Sequence, residues 1–129
     1  VKAGISRTLG RVAVGIGAAA CAVVGVTSGP AAADSPYIDS RSGDCAAAWR
    51  SGSNEFWVVD WEVDDGEGCA VLYSFKADHK PSTWIWNPAH DEGGIYPTDP
   101  NGDEWVFFKV CDHRDRNASN CTDWKRYGT

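Results

Sequence analysis

Seven tryptophans carry most of the recognition chemistry on offer in this 129-residue chain. They stand at positions 49, 57, 61, 84, 86, 105 and 124, beside four Tyr and four Phe, with no Met. An indole has a flat apolar face and a polar edge, so it can serve as core or as contact surface. An exposed indole with acids nearby matches a pyranose ring. Trp84 and Trp86 share one side of the short run Thr83–Asn87, next to the long Pro/Gly-bearing segment 88–103. They read as a binding platform, with Tyr96 and Asp91 of that segment as its other ligand-binding residues. Trp57, Trp61 and Trp105 fall in stronger strand patterns and read as core.

The carboxylates are dense but form no recognisable site. Asp60, Glu62, Asp64, Asp65 and Glu67 lie close together. Calcium favours such oxygen clusters, but its twelve-residue loop wants Gly at position six and Glu at twelve. Counted from Asp60, those places hold Asp65 and Val71. Asp99-Pro-Asn101-Gly-Asp103 has alternating oxygens and lacks the rest of the loop. His79, His90 and His113 fall in expected surface loops, with no HExxH spacing. No GxSxG elbow occurs. Cys45, Cys69, Cys111 and Cys121 lack the close CxxC spacing of a zinc site. The expectation is no metal, no cofactor, no catalytic residue and no enzyme.

The elements that must position the aromatic residues begin after an export leader. Lys2, Arg7 and Arg11 precede an apolar run, Val12–Val26, and Ala31-Ala32-Ala33 stands before Asp34. That order is a cleavable secretory signal over 1–33. The run is about 15 residues, short of the ~20 that span a bilayer. Removing it takes Cys21 away and leaves four cysteines, an even number in a short exported chain, which reads as two disulfides. The pairing expected is Cys45–Cys69 and Cys111–Cys121. The leader also takes three of the 12 basic residues, leaving nine against 18 acidic ones, a net of −9. Phosphate backbones and anionic membranes reward clustered Lys and Arg, so nucleic acid and membrane are discounted as partners.

Residues 34–129 are short enough for one domain. Asp34–Asp44 is turn-rich and reads as a loose arm. Cys45–Arg50 reads as a short strand or a helical turn. In Glu55–Asp64 the odd positions Trp57, Val59, Trp61 and Val63 alternate with even positions ending in Asp60, Glu62 and Asp64. Period-two alternation predicts a strand with its odd face on the core. Asp65-Gly66-Glu67-Gly68 then predicts a hairpin into Cys69–Lys76, with Val71, Tyr73 and Phe75 on one face. Thr83–Asn87 is a further strand, and 88–103 a long loop. Glu104–Cys111 carries Val106, Phe108 and Val110 on one face and Trp105, Phe107 and Cys111 on the other, as a central strand does. Asp112–Asn120 reads as an exposed loop and Cys121–Tyr127 as the last strand. The fold expected is all-β: a small antiparallel sandwich or barrel of five to six strands with two disulfides.

The Ala-Ala-Ala-Asp junction and the ending Trp105-Val-Phe-Phe-Lys-Val-Cys111, loop, Cys121-Thr-Asp-Trp124 resemble those of small secreted β-rich actinobacterial proteins of unknown function. The resemblance implies an exported β domain and assigns no site residue. Small bacterial amylase inhibitors differ in cysteine spacing, and Trp49-Arg50 here precedes Ser51. The function expected is a secreted, non-enzymatic binding domain for an extracellular glycan or protein. The alternative is an inhibitor of a secreted hydrolase, with the 88–103 loop presented to the enzyme.

Overall fold

The computed structural model describes residues 32–129. The expected leader and its Cys21 lie outside the described residues, apart from the leader's last two positions. The described chain is all-β and, among these residues, contains no helix. Nine strands form two antiparallel sheets: β1 (Ile38–Asp39), β2 (Cys45–Arg50), β3 (Glu55–Asp60), β4 (Gly68–Ser74), β5 (Thr83–Asn87), β6 (Gly93–Pro97), β7 (Trp105–Arg114), β8 (Asn117–Ser119) and β9 (Lys125–Gly128). Sheet A runs β1-β2-β3-β6. Sheet B runs β5-β4-β7-β8, with β9 also on β7. Neither sheet closes on itself, and the two pack as a sandwich. The three strands beyond the expected six are β1, β6 and β8, which are short or carry no hydrophobic alternation.

The core forms between the sheets. Trp49 and Phe56 of sheet A meet Phe108 and Tyr73 of sheet B, with ring centroids 5.0 to 5.3 Å apart around Phe56. Val58, Val71, Ile85, Val106 and Val110 fill the remainder. The Trp49 indole N–H crosses the sandwich to donate to the Gly128 carbonyl at 3.1 Å. Both expected disulfides are present. Cys45–Cys69 joins β2 of one sheet to β4 of the other, with 5.5 Å between Cα atoms.

Several sequence expectations are corrected. The strand of 55–64 ends at Asp60 and buries its even face: Phe56, Val58 and Asp60 point inward. The stretch Phe56-Trp57-Val58-Val59 is apolar at every position, so its alternation does not fix the phase. Pairing Asp60 with the disulfide-bearing Cys45 turns the even face to the core. Trp61, expected in the core, is 56% exposed. Trp57 is half-buried on the outer face, under the Arg50 guanidinium 4.7 Å away. The expected 55–76 hairpin does not form: β3 pairs with β2 and β6, and β4 with β5 and β7. Residues 61–67 instead carry the chain from one sheet to the other.

The loop expected over 88–103 contains β6, which is hydrogen-bonded to β3. The arm expected over 34–44 is tied down by β1, by the Ser35 hydroxyl accepting from the Trp49 amide and by buried Ser40. The loop expected over 112–120 is a hairpin of β7 and β8. Within it Asp112 is buried, accepting from Ser40 at 2.7 Å and Asn120 at 2.9 Å.

Candidate functional site

Register places the aromatic residues of sheet B on its outer face. Ile85 and Asn87 of β5 point inward and are buried, so Trp84 and Trp86 point outward. Across the sheet, Trp86 aligns with Ala70 and Cys111, and Trp84 with Leu72 and Lys109. Two positions apart on one strand face, the indoles stack with centroids 4.6 Å apart and planes 17° from parallel. Neither belongs to the buried core, and Trp84 is 36% exposed.

The far side of Trp86 is closed by the β7–β8 hairpin. The buried His113 ring meets it edge-on at 5.0 Å, and the exposed Arg116 guanidinium lies 5.9 Å from its centroid. His113 bridges two elements: Nδ1 accepts the Arg116 amide at 3.1 Å, and Nε2 meets the Asn87 carbonyl at 2.8 Å. An amide N–H can only donate, so Nδ1 is the acceptor and Nε2 carries the hydrogen. The expected surface position of His113 is thereby corrected: its ring wedges the hairpin against β5. Trp84 is the open end of a stack whose closed end is His113 and Arg116.

Tyr96 and Asp91 sit behind this platform rather than on it. Tyr96 packs from β6 against the core, and its hydroxyl donates to Asn87 Oδ1 at 2.7 Å. Burial, and secondarily the Asp91 carboxylate, push the Tyr96 phenol above its ordinary value of 10.0. The Asp91 main-chain oxygen accepts from Asn87 Nδ2 at 3.1 Å, while its side chain accepts the Gly93 amide at 3.1 Å. The four residues singled out in the sequence thus converge on one short strand from opposite sides. Trp84 and Trp86 present the surface. Tyr96 and Asp91 give each polar atom of the fully buried Asn87 amide a partner, which anchors the strand.

Sequence reasoning missed the rest of this face. Trp105 and Phe107 of β7 also point outward, and Trp105 stands 4.2 Å from the Arg126 guanidinium, which faces its ring. His79, expected as a surface residue, is half-buried and stacks on Trp124 at 3.8 Å. Lys109 Nζ lies 5.2 Å from the Trp124 centroid. The alternation of 105–111 marks these outward positions. The pairing that gathers them into one face, β9 and β5 on either side of β4 and β7, is not written in any local pattern.

The carboxylates gather elsewhere. Those of Asp44, Asp65 and Glu67 lie within 4.8 Å of one another, with the Arg114 guanidinium 3.5 Å from Glu67. Asp60 approaches Cys45 and Cys69, whose sulfurs are tied in a disulfide and offer no thiolate to a metal. Compared with family models, curated proteins and solved structures, the chain matches none.

Proposed function

We propose that the protein is an exported, non-enzymatic binding domain that takes an extracellular glycan on the outer face of sheet B. The observation that carries this reading is the stacked Trp84–Trp86 pair, held outside the core on a strand whose other face is firmly anchored. A rigid indole gives a sugar ring a flat apolar contact at little ordering cost. Two disulfides are compatible with an oxidising, extracellular setting.

The test is co-sedimentation of the oxidised protein with cellulose, chitin, peptidoglycan and starch, followed by Trp fluorescence. Saturable binding with an indole spectral shift is expected, and Trp84→Ala abolishes it while leaving Tm within a degree or two. A fall of many degrees would make Trp84 a packing residue instead. An absence of binding, with tight 1:1 inhibition of a secreted hydrolase, would replace a glycan by an enzyme as the partner.

A further inference from the structure

Charge on this molecule is segregated. The outward strand positions of sheet B include Trp84 and Trp86 on β5, Leu72 on β4, Trp105 and Lys109 on β7, and Arg126 on β9. No outward strand position of this sheet is a carboxylate, in a segment with 18 acidic residues against nine basic ones. Arg41, Arg50, Lys76 and Arg114 each pair with a carboxylate. Lys80, Lys109, Arg116, Lys125 and Arg126 make no ion pair among the described residues, and three of these five, Lys109, Arg116 and Arg126, lie over indoles of this face.

Placement sharpens the pattern. Lys109 stands in the cross-strand row of Trp84, with Leu72 between them. Two inter-strand steps put their backbones about 10 Å apart. Arg116 occupies the second position of the Asp115-Arg116 turn at φ +65°, a conformation that favours glycine. An arginine there has no steric rationale, and its side chain reaches Trp86.

We propose that the glycan is anionic: a uronate-bearing polysaccharide laid across β5, β4 and β7, with a sugar ring on Trp84 and carboxylates at Lys109 and Arg116. The inference rests on the platform reading above and adds the charge of the ligand. A neutral glycan gains nothing from three cations with no carboxylate partner. An acidic one is repelled by the acid-rich loops and is better received where the strand positions carry cations and no carboxylate.

The test is affinity electrophoresis of the disulfide-intact full chain in gels containing polygalacturonate, alginate or hyaluronate, each compared with its methyl ester. Esterification removes the charge and keeps the rings. At least one acid form is expected to bind about tenfold more tightly than its ester, with the difference shrinking as salt screens the charges. Lys109→Gln and Arg116→Gln should each lose most of that difference at unchanged Tm. The exposed Arg116 site provides a second variant if Lys109→Gln unfolds. Trp84→Ala should lose acid and ester alike. Equal binding of acid and ester, or neutral polymers bound and uronates refused, overturns the charge inference and leaves the platform standing. Full preference for the acid retained in both Gln variants overturns the assignment of these cations. Binding to no polymer, acidic or neutral, overturns both readings.

Discussion

Asn87 shows at the scale of one residue how a buried amide can hold a surface in place. Its side chain donates to Asp91 and accepts from Tyr96, and its carbonyl meets His113. Tyr96→Phe keeps the ring packing and orphans Asn87 Oδ1. A buried acceptor left without its donor costs about 1–3 kcal/mol, and urea unfolding should show a loss of that size. Asp60 is the converse case. It is 6% exposed, one oxygen takes the Glu62 amide, and the other has no partner. Burial pushes its carboxyl above the ordinary 3.8, with the Glu62 amide opposing and Asp65, Asp44 and Asp112 adding to the rise. The folded state therefore holds this proton more tightly than the unfolded chain. The stability this gives is fully present below pH 3.8 and is lost as pH rises through the elevated folded-state value. Asp60→Asn removes the charge. It should be more stable than the parent at pH 7, with the gap closing below pH 3.8 in paired denaturant titrations.

At the scale of elements, β5 depends on what β4 lacks. A Cβ on Gly68 would strike the Asn87 carbonyl and stand 2.8 Å from His113 Nε2. The bare glycine lets the imidazole reach Asn87 and lock the hairpin to the platform strand. Gly68→Ala should cost at least about 2 kcal/mol by overpacking, and it should weaken ligand binding through displaced indoles. Gly52→Ala, with open space around it, is the matched control and should be near neutral in the same thermal melts. The strand β3 teaches a different lesson. Its residues 56–59 are apolar on both faces, so the choice of buried face passed to the partner strand and its cysteine.

At the scale of the molecule, Cys45–Cys69 fastens one sheet to the other, whereas Cys111–Cys121 closes a short excursion along one edge of sheet B. Sequence separations of 24 and 10 residues correspond to about 3.5 and about 2.7 kcal/mol of restricted unfolded-state entropy. The entropic terms are close, so the larger difference lies in packing. Replacing Cys45 and Cys69 with Ala also opens a gap between the sheets. That double variant should lose more stability, and expose more tryptophan fluorescence before the main unfolding transition, than the Cys111/Cys121 pair.

Local sequence determined the class of this protein. Period-two runs at 69–75 and 105–110, the turn residues between runs, and the four cysteines at 45, 69, 111 and 121 suffice for an all-β, twice-stapled domain. They also mark Trp84 and Trp86 as neighbours on one strand face, because alternation is a property of the strand itself. Tertiary structure decided which strands pair, which face of β3 is buried, and where Tyr96 and Asp91 go. Those outcomes depend on contacts between residues far apart in the chain: Asp60 with Cys45, Tyr96 with Asn87, His113 with the end of β5. The outer face of sheet B is of the same kind. The cations and indoles on it come from three strands and two connecting segments, and only the sandwich brings them onto one surface.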